Sequence, residues 1–319
     1  TLKSLELNND NPTAHINLGI IYTDLGQLDQ ALTAILKAIH IKPADPNFGI
    51  VFKRVDLNKN NLVKANFANV SSAILCTTLE NKHGIKVSTV EHLLAALYIT
   101  GIDNATIEID NEEVPIMDGS SKDFLDVLKK INLIDQSRKK KYLKIINKIE
   151  LKDGKRKISI EPSESTLEVN FQLDYKNKII GNQKNIVNFQ EDNLEDVSNS
   201  RTFCLYEDIE KIKKKGLAKG GSLKNAVVVD DDKVLNKDGL RNDKEFVNHK
   251  ILDLAGDFML SGHRIIGKVI CHQGGHSLTN LFLRKIFNTK SAFEVIELNE
   301  FKVSKKTNYK ELDKIAVNA

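Results

Sequence analysis

An α+β architecture is what this sequence predicts, and three observations carry the prediction. Segments with a two-residue period interleave with segments of helical period. They fall into two blocks, on either side of a polar, basic stretch from Asp135 to Lys141 that reads as a solvated linker. Ahead of both blocks lies a short internal recurrence of helical character.

The recurrence comes first in the chain. Leu2-Lys3-Ser4-Leu5-Glu6-Leu7 returns as Leu36-Lys37-Ala38-Ile39-His40-Ile41, and Asn11-Pro12 returns as Asp45-Pro46. With Leu18-Gly19, Tyr22, Ala31, Ile35, Ala38 and Pro43 between, this is similar to a tetratricopeptide repeat, whose period is about 34 residues. Leu25-Gly26-Gln27 reads as the turn between its two helices. One such unit has no neighbour to bury its face, so its stability alone is expected to be marginal.

In the first block, Gly49 to Val55 reads as a strand. Val87 to Leu97 reads as an amphipathic helix with Ser88 as its cap, Asn104 to Asp110 as a strand, and Ser121 to Ile131 as a second helix. In the second block, strands are expected at 142–151, 157–160, 166–173 and 226–230, and helices at 205–214 and 246–260. The tail beyond Phe287 is polar, with one strand expected at 293–298. The implied division is 1–43 for the repeat-like helices, 44–136 and 137–288 for the two blocks, and 289–319 for the tail.

Composition narrows the function. The 319 residues are 41% hydrophobic and 28% charged, ordinary for a globular protein with a sizeable core. A net charge of +4 gives no argument for nucleic acid as a partner. The cysteines, Cys76, Cys204 and Cys271, have no metal-binding spacing and leave one unpaired, which suits a reducing cytoplasm. No apolar stretch reaches the ~20 residues that would span a bilayer, and Thr1-Leu2-Lys3-Ser4 is not a secretion signal. The chain starts without Met and reads as a fragment or a processed product.

Two distant segments supply the parts of a hydrolytic metal site. His249 and Asp253 stand at i and i+4, one face of a helix, and His92 adds a third donor. Two imidazoles, one carboxylate and a free position describe a catalytic zinc site rather than a closed structural one. Glu91 is then available as the base for water there, and His276, in Gln-Gly-Gly-His-Ser, as a partner acid that Asp257 could orient. Each signal is weak alone. A His-x-x-x-Asp pair is more often a surface contact, Glu91-His92 seen alone is more often a solvent-facing carboxylate beside a core-edge histidine, and a glycine-flanked loop histidine is more often incidental. His15, His40, His83 and His263 have no such context, and His272 is ambiguous. The basic, glycine-rich segment 213–222 can bring N–H groups to a phosphate but lacks a P-loop spacing and reads as a surface loop. Val114 to Ser120 reads as a turn.

Taken together, six motifs in order resemble the UDP-3-O-acyl-N-acetylglucosamine deacetylases, the zinc amidases of bacterial lipid A synthesis. They are Ser-Thr-Val-Glu-His-Leu-Leu-Ala-Ala-Leu at 88–97, Val-Pro-Ile-Met-Asp-Gly-Ser at 114–120 and Ser-Arg-Thr-Phe at 200–203. Gly-Gly-Ser-Leu-Lys-Asn-Ala at 220–226, His-Lys-Ile-Leu-Asp-Leu-Ala-Gly-Asp at 249–257 and Gly-His-Ser-Leu-Thr-Asn at 275–280 complete the set. The resemblance runs from about Pro43 to about Ile286. It implies two similar sheet-plus-helices domains with their helix layers facing each other and the site between them. It implies His92, His249 and Asp253 as ligands of Zn2+, Glu91 as general base, and His276 as the acid for the leaving amine, with Asp257 as its partner. It further implies Thr202 as a hydroxyl donor to the oxyanion, Lys250 as a charged group beside the site, and Phe203 as a contact to the acyl chain. The implied partners are a UDP-linked acylated glucosamine and, transiently, the inner-membrane surface.

One departure stands against this likeness. Family members begin with a strand pair bearing a Gly-x-Gly-Leu-His-Ser-Gly type turn, and here residues 1–42 take its place. Lost strands would leave an open sheet edge. A natural fusion and an artefactual joining of two reading frames both account for it, and the junction at Ile41 to Pro46, which suits both families, favours the joining. The competing functional reading is an inactive or artefactual fusion acting through the repeat-like segment on a protein partner of unknown identity.

Overall fold

The computed structural model describes residues 39–298, apart from 132, 215, 217 and 219. The repeat-like residues 1–38 and the end of the tail lie outside them. The described chain is α+β, with four sheets and six α-helices among the described residues.

The first sheet has strand order β1-β7-β2-β3, from β1 (Ile39–Pro43), β2 (Ile50–Arg54), β3 (Leu62–Lys64) and β7 (Ala105–Ile109). Strand β7 alternates cleanly: Ala105, Ile107 and Ile109 are buried while Thr106 and Glu108 are half-buried, the pattern of a strand with one face on the core. Strand β1 corrects the sequence reading twice. Residues 39–43, assigned there to the repeat-like helices, form a strand. It pairs antiparallel with β7, Ile39 opposite Ile109 and Pro43 opposite Ala105, so that edge of β7 is not open. A small sheet of β4 (Val70–Ser72), β5 (Thr78–Glu80) and β6 (Lys86–Val87) follows β3 in the chain.

Helix α1 (Glu91–Thr100) is enclosed on all sides, with every residue from Glu91 to Tyr98 buried. That suits its run Leu93-Leu94-Ala95-Ala96-Leu97, apolar around the whole circumference. Ser88 is not its cap. Val90 holds that position without a side-chain bond, and Ser88 bridges instead to the 112–114 segment, its N–H donating to Glu112 at 2.8 Å. Gly101, at φ +83°, ends the helix in the left-handed conformation and returns its N–H to Leu97 and Tyr98. Helix α2 (Lys122–Leu128) packs beside α1, burying Phe124, Leu125 and Leu128.

The larger sheet collects β8 (Lys140–Ile145), β9 (Ile149–Asp153), β10 (Arg156–Thr166), β11 (Glu168–Asp174) and β12 (Asn182–Asn188). Strand β16 (Arg264–His272) lies at its centre, against β10, β11 and β8, and β17 (Phe293–Leu298) closes it by pairing with β8. The expected single strand 142–151 is therefore two, broken at Ile146-Asn147-Lys148. The strand at 293–298, placed in the tail by sequence, is part of this sheet. A third unit joins β13 (Phe203–Leu205), β14 (Val227–Asp230) and β15 (Lys233–Val234) next to α4 (Tyr206–Lys214), with the short α3 (Glu195–Asn199) ahead of it.

Helix α5 (Glu245–Met259) is the structural axis of the site. Every residue in it except Lys250 is buried. It lies directly on α1, and Gly256 makes the contact possible: a Cβ there would collide with the Glu91 carbonyl oxygen and stand 3.2 Å from Ala95 N. Gly256→Val is therefore expected to destabilise the fold by about 3 kcal/mol through overpacking, read as a lower midpoint in urea. Helix α6 (His276–Asn288) packs against α5 and buries Leu278, Phe282, Leu283 and Ile286. A single apolar core, including Leu93, Leu97, Ile107, Phe246, Phe258 and Phe282, runs through both sheets' helices.

Candidate metal and proton-transfer site

Helices α1, α5 and α6 deliver the site. Glu91 and His92 open α1, His249, Asp253 and Asp257 succeed one another along one stripe of α5, and His276 is the first residue of α6. The expectation that His276 sits in a loop is corrected here. Its backbone is helical, and Gly275 holds the cap position.

Three buried donors converge. His249 Nε2 lies 3.3 Å and His92 Nε2 3.5 Å from Asp253 Oδ1. One ligand atom from each of the three lies within 4.8 Å of the others. The two imidazoles meet edge to face, 5.1 Å between ring centroids. Donors about 2.0 Å from a tetrahedral ion stand about 3.3 Å apart, so the two contacts to Asp253 have the spacing of ligands around one ion. The polar bookkeeping agrees. Asp253 Oδ1, the atom both rings face, has no hydrogen-bond partner, and neither has His92 Nδ1. A buried carboxylate oxygen without a donor is costly, and a cation on Oδ1 removes that cost.

Electrostatics prepare the donors. Burial pushes the His249 imidazole down to about 3, so it is neutral at pH 7 and carries a free lone pair. Its Nδ1–H donates to the Ser200 carbonyl at 3.1 Å, which leaves Nε2 as the donor to the cluster. Burial works against ionisation of Asp253, yet His249, Lys250 and His276 hold its carboxyl well below the usual range. Lys250 Nζ donates to Asp253 Oδ2 at 2.9 Å and lies 5.5 Å from the centre of the Phe203 ring. Phe203 in turn meets the His249 ring at 6.3 Å.

The candidate proton-transfer groups, Glu91 and His276, stand beside the cluster. His276 Nδ1 bonds to Asp257 Oδ2 at 2.9 Å, and its Nε2 faces Glu91 Oε1 at 3.7 Å and Asp253 Oδ2 at 3.8 Å. Burial would lower the His276 pKa, but Asp257, Glu91 and Asp253 outweigh it and raise it to about 10. Burial also raises the Glu91 carboxyl above its ordinary value. The structure thus brings together a neutral donor imidazole, an ionised carboxylate, a carboxyl with raised proton affinity and a cationic imidazole.

Of the residues singled out by sequence, Thr202 remains, next in the chain to Phe203. Thr202 is fixed by its backbone, its N–H on the Gly119 carbonyl and its carbonyl accepting from Val227, both at 2.7 Å. Several neighbours that support the site were given no individual role by the sequence, although Arg201 lies in the 200–203 motif. Arg201 forms a buried ion pair with Glu245, Nε to Oε1 at 2.8 Å, and Glu245 also accepts from the Arg201 and Arg241 N–H groups. This clamp holds residues 200–203 against the start of α5, and so holds the Ser200 carbonyl on His249. Glu245→Ala leaves a buried guanidinium unpaired and is expected to cost about 3–5 kcal/mol, read by thermal unfolding. Arg241 also reaches Asp118 at 2.7 Å, which gives the 114–120 turn a role in joining the halves of the chain. Thr77 bonds both Glu91 and Asp257; nothing in Cys76-Thr77-Thr78 pointed to it.

Among the described residues, no helix is long and apolar enough to cross a membrane. The model of the UDP-3-O-acyl N-acetylglycosamine deacetylase family matches residues 34–288. A UDP-3-O-acyl-N-acetylglucosamine deacetylase of Shewanella violacea is 40% identical over 261 residues, covering 81% of this chain and 85% of its own length. Proteins of the same name from Shewanella oneidensis and Shewanella woodyi are 40% identical over 265 residues, covering 82% of this chain and 86% and 87% of theirs. The match spans α1, α5 and α6 with the whole buried constellation they carry. On that coverage and identity, the chain belongs to the UDP-3-O-acyl N-acetylglycosamine deacetylase family.

Proposed function

We propose that this chain hydrolyses the N-acetyl group of UDP-3-O-(3-hydroxyacyl)-N-acetylglucosamine and releases acetate, the committed step of lipid A biosynthesis. The observation that carries the reading is the spacing of His92, His249 and Asp253 about one unpartnered oxygen, with Glu91 and His276 on either hand.

Two imidazoles and a carboxylate suit zinc, with a position left for substrate. When bound, zinc supplies Lewis-acid polarisation of the acetyl carbonyl and lowers the pKa of water to about 7. The chain's own groups do the rest. Glu91 takes a proton from the attacking water as its oxygen adds to the carbonyl carbon. The Thr202 hydroxyl donates to the oxyanion that forms. His276 Nε2–H gives its proton to the amide nitrogen as the C–N bond breaks, so the leaving group departs as a neutral amine. Asp257 holds the ring through Nδ1, and the Lys250 ammonium adds positive charge beside the oxyanion. Phe203 offers an apolar surface to the acyl chain.

The division into two similar sheet-plus-helices units with facing helix layers belongs to this reading, its bounds widened to 39–136 and 137–298 because β1 and β17 pair into the two sheets. So do a cytoplasmic location and a transient contact with the inner-membrane surface, which suit an acylated nucleotide-sugar. The contact of α1 with α5 supports the first. The test is metal analysis together with acetate release from the UDP-linked substrate, before and after chelation. About one zinc per chain, and activity that falls on chelation and returns on adding zinc, is the expected result. Folded protein that takes up no metal and releases no acetate would refute it.

A further inference from the structure

Thr77 lies between β4 and β5 and is 2% exposed. Each of its polar groups is engaged. Its N–H donates to Glu91 Oε2 at 3.0 Å, its carbonyl accepts from the Val90 N–H at 3.4 Å, and its hydroxyl donates to Asp257 Oδ1 at 2.6 Å. The two carboxylates stand on different helices, Glu91 on α1 and Asp257 on α5. Thr77 holds one oxygen of each. The other oxygens face the same imidazole, Glu91 Oε1 at 3.7 Å from Nε2 and Asp257 Oδ2 at 2.9 Å from Nδ1. Thr77, Glu91, His276 and Asp257 therefore close a ring.

We propose that Thr77 is a positioning residue that sets the separation of the two proton-transfer groups. It does so by gripping the outer oxygens of Glu91 and Asp257. The proposal rests on the roles given above to Glu91 and His276. A carboxylate can only accept, so Asp257 Oδ1 needs a donor inside the protein, and a hydroxyl at 2.6 Å is a short, charge-assisted one. Without it, the remaining donor on Asp257 is His276 Nδ1–H, now drawn between two oxygens, and the ring loses its fixed aim toward Glu91 and Asp253. A displacement of about 1 Å at such a pair can cost about 10²-fold in rate. The backbone N–H on Glu91 survives any side-chain change, so replacing the hydroxyl isolates the Asp257 arm.

Thr77→Val keeps shape and removes the donor; Thr77→Ser keeps the donor and loses the stiff β-branch. In the zinc-loaded full chain, Thr77→Val is expected to lower kcat by about 10- to 100-fold with KM changed less than about twofold and zinc still near one per chain. Thr77→Ser is expected to recover all but about fivefold of the loss. In an Asp257→Ala background, Thr77→Val should add less than about twofold, because the hydroxyl acts through that carboxylate. A readout independent of turnover is the low-field NMR resonance of the His276 Nδ1 proton, expected to move in Thr77→Val and return in Thr77→Ser. Thr77→Ala removes the hydroxyl without burying a new methyl and serves the same comparison if Thr77→Val does not fold. Wild-type kcat in the hydroxyl-less variant, no rescue by serine, or losses that multiply with Asp257→Ala would overturn the proposal. A resonance that moves as expected in a chain that releases no acetate supports the positioning and overturns the functional reading instead.

Discussion

Asp253→Ala is expected to abolish metal binding and deacetylation together. Asp253 Oδ1 is the point both imidazoles face, at 3.3 and 3.5 Å, and it has no other partner. Its removal takes away the negative donor. It also leaves Lys250, bonded to Asp253 Oδ2 at 2.9 Å, as an uncompensated cation beside two histidines. Both changes oppose a dication. The dialysed variant should hold less than about a tenth of the wild-type zinc, and kcat/KM should fall by about 10³-fold or more, since the Lewis acid contributes several kcal/mol at about 1.4 kcal/mol per factor of ten. Elemental analysis and acetate release measure the two losses on one sample. A variant that keeps its zinc would remove Asp253 from the ligand set.

Glu91→Gln and His276→Ala should separate chemistry from metal. Each is expected to keep about one zinc per chain and to lose about 10²- to 10⁴-fold in kcat, the range for one lost proton-transfer group. Their pH profiles should differ in sign. With Glu91 in the proposed role of base, activity is lost as pH falls through its pKa, which burial raises above the ordinary carboxylate value. With His276 in the proposed role of acid, activity is lost as pH rises through its pKa, raised to about 10 by Asp257, Glu91 and Asp253 against the opposing effect of burial. A bound dication lowers both values, so the basic limb falls at or below about pH 10. Glu91→Gln should remove the acidic limb and His276→Ala the basic one. The kcat/KM profile of each variant checks the assignment, and an unchanged limb would contradict it.

Secondary structure was legible where the residue pattern and the environment agree. Helices α1 and α5 combine long apolar runs with strong helix formers, and β7 alternates without interruption, so local periodicity found all three. It failed where neighbours decide. Strand β12 is Asn-Gln-Lys-Asn-Ile-Val-Asn, a polar edge strand held by pairing with β11. Strand β1 reads as the end of a helix by its neighbours upstream, and becomes a strand because β7 offers its edge. Helix α6 was hidden by Gly274-Gly275, which read as a loop, and by the lack of a capping side chain at its start. The Ser88 cap satisfied a local rule that the bridge to 112–114 overrode.

The sequence by itself determined the chemistry on offer: which side chains can bind a metal or carry a proton, and that His249, Asp253 and Asp257 share one face of one helix, because helical spacing is a local property. It also carried the six motifs that resemble the family. Only the tertiary structure decided that His92 meets His249 and Asp253 around one oxygen, and that Thr77 bridges Glu91 to an aspartate 180 positions away. Only there do two histidines of one ordinary pKa become a neutral imidazole near 3 and a cation near 10. The reason is that burial and opposing charge arise from residues remote in the chain, and no local pattern encodes which of them will be adjacent.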